Sequence, residues 1–444
     1  MKRYESWGRY PHAGPVTAVP VYWRSDSQNF QELRQSVLPF GQGRSYGDVC
    51  LNDGGILLDT GALSHFIAFD ETSGLIRCEA GVTLAEILSL AVPRGWFLPV
   101  TPGTKFVSVG GAIANDVHGK NHHRVGTFGM HVTQFELLRS REERVICTPT
   151  QNTDLFRATI SGLGLTGLIL WAEIQLRRIP GPFIRTECIR FDNLKEFFDI
   201  ARVSDQSHMY TVAWVDCLAK NRHLGRGVFF RGNHAENESP RPIHSQPRRI
   251  LTIPFDAPHL LLNRFAMKAF NLAYYHRHFP KHREDIVHYD PFFYPLDAIH
   301  GWNRLYGSRG FLQYQCVVPF DVEGGAIREI LQRVAQTGEA SFLSVLKIFG
   351  AKHSPGMLSF PRPGVTLALD LPNAGSSTLR LLEELDDIVR ISGGAVYPAK
   401  DARMSPDNFK VFFPRWEEFS RYLDPQFSSN FWRRVTRTMS SRQT

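Results

Sequence analysis

Six glycines, one Gly-Gly pair and three histidines fall within the twenty-nine residues Thr101–Gly129, TPGTKFVSVGGAIANDVHGKNHHRVGTFG, and no other stretch restricts this chain as much. Glycine lets backbone N–H groups come close to a phosphate and adopts positive φ freely. Gly103, Gly110 and Gly111 therefore predict a loop moulded round an extended anion. Ala112-Ile113-Ala114, small and apolar, suits a tight turn or short helix beneath that ligand. His118-Gly119-Lys120-Asn121-His122-His123 then sets donors, acceptors and a cation in one loop, more polar chemistry than a surface connection requires. The stretch is read as the rim of a cofactor site. Taken alone it fits a glycine-rich structural loop with solvated histidines as well.

At 444 residues the chain exceeds what one hydrophobic core serves, so two domains are expected. With 43% hydrophobic and 21% charged residues the composition is that of a folded globular protein, which excludes a disordered chain. The formal charge of +8 favours an acidic partner such as phosphate or anionic lipid, but the excess is spread along the sequence. Short clusters such as Arg139–Arg144 and Pro247-Arg248-Arg249 are read as solvated faces. With no zinc-finger spacing and no RNP-like segment, no nucleic-acid partner is expected. The six cysteines are scattered, none in a C-x-x-C spacing, so neither a disulfide framework nor a metal site is expected. The N-terminal residues lack an apolar h-region and no run reaches eighteen apolar residues. Neither a signal peptide nor a spanning helix is expected, the cytoplasm is the default compartment, and peripheral membrane contact stays open.

Along the chain, Ser27–Gln35 is read as a short helix, and Leu38-Pro39-Phe40 as a strand feeding Gly41-Gln42-Gly43-Arg44-Ser45-Tyr46-Gly47-Asp48. Such a turn aims successive N–H groups at a pyrophosphate. It is no Walker loop, since Gly-Lys-Ser/Thr is absent, and the helix of a Rossmann fingerprint does not follow; a plain hairpin loop is the alternative. Phe66–Phe69 and Leu75–Glu79 read as a hairpin. Thr83 with Glu86 forms a capping box opening a helix whose Leu84, Ile87, Leu88 and Ala91 share a face, ended by Pro93 and Gly95. Gln134–Leu138 and Arg144–Thr148 are strands, and glycine-rich Ser161–Leu170 enters another. Arg177–Pro182, with two prolines and a glycine, marks a boundary. Beyond it come an amphipathic helix at Asn193–Val203, strands at Met209–Asp216 and Gly227–Phe230, and a polar loop at Gly232–Arg249. Ile250–Leu296 is aromatic without clean periodicity: a lid, a docking surface or an irregular packed insert.

Three later strands carry a parity argument. Period two puts Gln313, Gln315 and Val317 on one face of Gly310–Pro319 and Leu312, Tyr314, Cys316 and Val318 on the other. Lys347 shares a face with Leu343, Val345 and Phe349, an odd set for a free surface lysine. Thr366, Ala368 and Asp370 alternate with Val365, Leu367 and Leu369. An antiparallel sheet with an apolar face under helices and a mixed polar face predicts the wall of a substrate pocket, or equally a solvated surface. Helix Thr378–Ile391 and the segment Ala395–Met404, which includes Tyr397 and Lys400, follow.

The strand-turn Gly41–Asp48, the Thr101–Gly129 loop and the strand entry Gly162–Ile169, in this order, resemble the three FAD-contacting segments of the vanillyl-alcohol-oxidase (PCMH-type) flavoprotein family. GRSYGD, HGKNHH, the two glutamines of FLQYQ, LKIFG and YPAKDAR resemble the decaprenylphosphoryl-ribose 2-oxidase type within it, over nearly the whole chain. The resemblance implies an α+β fold, with a bipartite FAD-binding domain at 1–182 and a substrate (cap) domain at 183–394 built on an antiparallel sheet with helices. That cap carries an irregular insert at about 232–300, and 395–444 return to the FAD domain. It implies that Gly41, Gln42, Gly43, Arg44, Ser45, Tyr46, Gly47, Asp48 and Gly103, with Ser108, Val109, Gly110 and Gly111, hold the FAD pyrophosphate and ribityl. His118, Gly119, Lys120 and Asn121 would line the ring site, Ile169 the adenine end, and Tyr397 would pack near the flavin. Gln313, Gln315, Lys347 and Tyr46 would contact substrate, with Lys400 at the reacting centre and either Lys400 or His118 as base.

The implied reaction is hydride transfer from a carbon bearing a sugar hydroxyl to FAD, giving a keto sugar. The substrate would be a polyprenyl-phosphoryl pentose or related glycoside; a free polyol or aldonolactone, and a flavin binder without turnover, are the other readings. Many family members tether FAD through a histidine where this chain has Arg44, so FAD is expected to be non-covalent. Where enzymes of this type often carry a cysteine, this chain has Ala368. Quinone, oxygen or a protein is the acceptor, and an NAD(P)H-dependent keto-sugar reductase is an implied partner. The resemblance adds a membrane-associated or periplasmic location beside the cytoplasmic one.

Overall fold

Alternating polar and apolar residues in Phe311–Val318, Ser344–Phe349 and Gly364–Pro372 set these strands side by side in an eight-stranded antiparallel sheet in the computed structural model. The structure describes residues 3–25, 32–236, 251–258, 262–321, 324–339 and 341–437. The strand order is His282–His288, Phe183–Phe191, Gly227–His234, Tyr210–Val215, Ser344–Phe349, Gly364–Pro372, Phe311–Val318 and Ala395–Val396. In-register partners share a face. The pairs Gln315↔Ala368, Ala368↔Val345 and Val345↔Trp214 therefore carry one face across four strands. On the other face Tyr314, Cys316, Leu346, Leu367 and Leu369 are buried in one core with Ile327, Ile330 and Leu331 of helix Gly325–Thr337 and Leu381, Leu382 and Leu385 of helix Ser376–Ile391. Each such aliphatic side chain removed from water contributes ~1.5–3 kcal/mol.

The N-terminal part has its own sheets. Phe66–Asp70, Leu75–Glu79, Leu168–Gln175, Val132–Leu138 and Arg144–Cys147 form a five-stranded antiparallel sheet in that order. Val37–Phe40 and Thr17–Pro20 flank Ile56–Asp59 in a parallel three-stranded sheet. Helix Leu84–Ala91 follows in the chain, opened by the expected capping box: Thr83 N donates to Glu86 Oε2 at 2.7 Å, and Glu86 N to Thr83 Oγ1 at 3.3 Å. Such a cap stabilises a helix by ~1 kcal/mol, and Leu84, Ile87, Leu88 and Ala91 are its buried face.

Several expectations shift. Residues 26–31 and 237–250 lie outside the described residues, so most of the helix read at Ser27–Gln35 and of the loop read at Gly232–Arg249 cannot be followed; the strand begun at Gly227 runs on to His234. The aperiodic insert contains a regular helix, Arg264–His276, and an edge strand, His282–His288. The helix buries Met267, Asn271 and Tyr275, one residue per turn, while Phe265, Phe270 and Leu272 are exposed. The buried stripe carries a polar Asn, and two phenylalanines lie outside it. Asn271 Nδ2 is satisfied there by Asp216 Oδ1 at 3.1 Å and Ser341 O at 3.3 Å. The edge strand, HREDIVH, is charged, as an unpaired sheet edge tends to be. Among the described residues no helix is long and apolar enough to cross a membrane.

Candidate active site

Strand Val37–Phe40 delivers the first glycine turn into a cavity of about 1190 Å³. Gly43 has φ +59°, and a Cβ there would lie 2.9 Å from Glu5 O, so the turn takes only glycine at this point. Ser108 opens helix Val109–Ala114, the short apolar element expected in the second loop, and its Oγ accepts from Gly111 N at 3.3 Å. Gly41 to Tyr46, Gly103, Ser108, Gly110, Gly111, His118, Gly119, Lys120, Ile169, Gln313, Gln315, Lys347, Tyr397 and Lys400 all line the one cavity. Segment 291–305 closes over it, tied to the glycine loop by Tyr294 OH against Thr101 Oγ1 at 2.7 Å and by Lys105 N donating to Asp297 Oδ2 at 2.9 Å.

Four residues expected at the cofactor do not line the cavity. Gly47 is pressed against the Asp401 carbonyl, where a Cβ would sit 1.6 Å from the oxygen. The Asp48 carboxylate faces Arg434, 2.7 Å from Nη2. Val109 is fully buried in the core under the sheet, and Asn121 Nδ2 donates to Pro99 O at 2.8 Å. All four brace the loops from behind. Asp116 does the same from the protein side, accepting from Gly129 N at 2.9 Å and from Ser354 and Ser359 Oγ at 2.5 Å each.

The wall fits a polar, extended cofactor. Arg44 Nε and Asn115 Oδ1 are buried without a partner on cavity-lining residues, and Gly103 faces open space. Buried polar atoms of this kind cost stability unless a ligand pairs them. The volume exceeds the ~300–1,000 Å³ that encloses one drug-sized ligand, leaving room for a second molecule beside a dinucleotide.

Charge gathers at one end. Lys347 Nζ lies 3.3 Å from His118 Nδ1, and Gln315 Nε2 lies 3.0 Å from His118 Nε2 and 3.2 Å from Thr366 Oγ1. Burial, with Lys347 and Lys400 nearby, pushes His118 well below its ordinary value, so its ring is neutral. A neutral imidazole has one donor and one acceptor. If the Lys347 ammonium donates to Nδ1, the ring proton is on Nε2 and the amide of Gln315 turns its oxygen toward it. Burial and the neighbouring lysines hold Lys347 at about 7, and burial holds Lys120 at about 8. Lys400 sits 3.7 Å from the centre of the Tyr46 ring. Burial lowers its pKa while Asp370 opposes that shift, and burial raises Asp370 in turn. Gln313 Nε2 donates to Asp370 Oδ1 in a short contact.

Residues 28–148, which include both glycine loops, match the model of an FAD binding domain family. Over 98% of its length the chain is 37% identical to decaprenylphosphoryl-beta-D-ribose oxidase of Mycolicibacterium smegmatis, covering 97% of that protein. The chain belongs to the decaprenylphosphoryl-ribose oxidase family. It is also 34% identical over 80% of its length to the whole of a Streptomyces coelicolor protein described as an uncharacterized protein in the mprA 5′ region. A further match, 28% identical, joins 49% of this chain to 42% of human Delta(24)-sterol reductase. This member of the oxidase family is an FAD-dependent oxidoreductase of α+β fold.

In this oxidase-family chain, the sheet supplies wall residues beyond those named as site residues from the sequence. Asp370, Thr366, Val345 and Trp214 all line the cavity. The signal for the first three was their parity with Ala368 and Lys347; Trp214 had none, because the long-range pairings Ala213↔Leu346 and Trp214↔Val345 bring its strand alongside.

Proposed function

We propose that this chain oxidises a secondary hydroxyl of a polyprenyl-phosphoryl pentose, or a closely related phosphorylated glycoside, to the keto sugar. The observation that carries the reading is the meeting of the glycine loops with Gln313, Gln315, Lys347 and Lys400 in one cavity, together with likeness to an oxidase named for such a substrate. Gly41 to Tyr46, Gly103, Ser108, Gly110 and Gly111 would hold the FAD pyrophosphate and ribityl, Ile169 the adenine end, and His118, Gly119, Lys120 and Tyr397 the ring. FAD supplies a hydride acceptor when bound. Lys400 takes the hydroxyl proton, because burial favours its neutral amine. His118, with a neighbour at each ring nitrogen, positions instead. Gln313 and Gln315 orient the sugar, and Lys347 binds its anionic part. The reading divides the chain at 182 and 394, and a keto sugar product calls for an NAD(P)H-dependent reductase to yield an inverted alcohol.

The test is anaerobic. Added polyprenyl-phosphoryl pentose is expected to bleach the flavin absorbance, whereas nucleotide sugars and free aldonolactones leave it. Bleaching by a free lactone and not by the lipid-linked sugar would sink the proposal.

Non-covalent FAD follows from Arg44, whose guanidinium carbon lies 4.2 Å from the centre of the Trp7 ring where a tethering histidine would stand. Acid precipitation is expected to leave the flavin in the supernatant; colour kept in the pellet contradicts it.

A pH dependence follows as well. Lys347, at about 7, and Lys120, at about 8, are charged below those values and neutral above them. A phosphodiester stays anionic throughout, so its KM should rise by about tenfold as pH climbs through this window. Lys347→Arg keeps its charge and should flatten the lower part of that rise. A flat wild-type profile tells against the assignment of Lys347 to the phosphate.

A further inference from the structure

The cavity continues past its polar end along the sheet face, through Val345, Trp214, Val212 and Phe230, and helix Arg264–His276 contributes Phe270 and Tyr274 to its far wall. The register fixes the path. Gln315, Ala368, Val345 and Trp214 stand opposite one another on four adjacent strands, and Val212, two residues from Trp214 on the same face, stands opposite Phe230 on a fifth. At ~4.8 Å between strands, these four steps span roughly 19 Å.

The chemistry changes along the way. At the start are Gln313, Asp370, Lys347 and Lys400, amide or titratable. Past Ala368 and Lys347 the sheet side chains that line the cavity are aliphatic or aromatic except Thr186, whose hydroxyl donates to Arg231 O at 3.2 Å. The ring of Tyr274 lies 4.6 Å from that of Trp214, and Phe270 lies 5.7 Å from Phe342. The indole N–H of Trp214 donates to Phe342 O at 2.9 Å, so its polar atom is already used. Lys120 also lines the cavity, with its Nζ donating to Phe293 O at 3.2 Å, and at the outer end His278 meets Phe230 at 5.8 Å and Arg277 lies over Tyr274 at 4.8 Å.

We propose that this channel binds the polyprenyl chain of the substrate, with the sugar held at Gln313 and Gln315, its phosphate at Lys347, and the first isoprenoid units against Trp214, Tyr274, Phe270 and Phe230. The inference rests on the lipid-linked reading above and names the site of the lipid. A nucleotide in the same channel would set its base against Val345, Trp214, Val212 and Phe230, whose one polar hydrogen, the Trp214 N–H, is already donated to Phe342 O, and this is the physical ground for a chain of hydrocarbon there.

The experiment separates the channel from the reaction by using a ligand that has no sugar to oxidise. Farnesyl phosphate and methyl phosphate are titrated into the FAD-loaded protein by calorimetry, for the wild type and for Phe270→Asp. Phe270 is 45% exposed on its helix, so the variant folds, as its flavin spectrum will verify. The wild type is expected to bind farnesyl phosphate at least about tenfold more tightly than methyl phosphate, and Phe270→Asp to cut that ratio below about threefold. Val345→Phe, which narrows the passage from the sheet side, should cut it too. A wild type without chain-length preference, or variants that keep it, overturns the channel while leaving any flavin bleaching by the pentose intact. Conversely, a preference lost in both variants, in a protein that no lipid-linked pentose bleaches, upholds the channel and removes the assigned reaction.

Discussion

Lys400→Met is expected to leave the purified protein yellow and to slow anaerobic flavin reduction by about 10²–10⁴-fold, the range that a positioned proton acceptor contributes. The backbone that carries Lys400 is fixed independently of its side chain. Tyr46 N donates to Ala399 O at 2.9 Å, and Lys400 N donates to Tyr397 O at 3.0 Å. Loss of rate therefore reports the amine and not a displaced loop. The arginine variant separates two roles: Lys400→Arg restores a cation but no base, since a guanidinium keeps its proton. If Lys400 works by accepting the proton, Lys400→Arg stays as slow as Lys400→Met; if it works only as a charge, Lys400→Arg recovers most of the rate. The sign of the pH effect agrees. Burial lowers the Lys400 pKa, so the neutral amine grows as pH rises through the lowered value, and the wild-type reduction rate should climb with it. A Lys400→Met protein reduced within about threefold of the wild-type rate would remove Lys400 from the chemistry.

Much of this site could be read before any coordinates, and the reason is periodicity. Glutamines at 313 and 315 and a lysine at 347 alternate with buried aliphatics, and period two puts such residues on a common face whatever the tertiary context. The glycine loops stood out by their density of glycine and histidine, and both line the cavity. What could not be read depended on partners distant in sequence. Asp48 sits in the first glycine turn yet faces Arg434, 386 residues away, and not the cavity. Asn121 follows three cavity residues and turns to Pro99 O. Helix Arg264–His276 went unread, and its buried stripe contains an asparagine whose amide nitrogen is held by Asp216 and Ser341 across the fold. In each case the local residue type was compatible with several outcomes, and a long-range hydrogen bond chose.

Arg434→Ala is expected to lower stability by about 3–5 kcal/mol and to release FAD, although Arg434 does not touch the cavity. Its guanidinium spans two buried carboxylates. Nε and Nη2 donate to Asp48 Oδ2 and Oδ1 at 2.9 and 2.7 Å, and Nη2 also reaches Asp401 Oδ2 at 2.9 Å. Asp48 and Asp401 are 3% and 4% exposed, so removing the arginine leaves two like charges out of water without the guanidinium that bridges them. Asp48 ends the first glycine turn and Asp401 follows Lys400, so this ion cluster clamps the cofactor turn to the segment that bears the amine. The Asp401 carboxylate has backbone help from Met404 N, at 2.9 Å from Oδ2, and Asp48 has none of comparable reach from outside its own turn among the described residues. The first glycine turn should therefore loosen first, and flavin should dissociate before the sheets unfold. Arg434→Lys keeps the charge but cannot span both carboxylates with a planar fork, and should fall between Arg434→Ala and the wild type. Arg437→Ala, at an exposed arginine one turn away, should melt with the wild type. Flavin-to-protein ratio and melting temperature measured on the three variants decide it. An Arg434→Ala protein that keeps stoichiometric FAD and melts with Arg437→Ala would show that the turn and the Lys400 segment hold their places without the clamp.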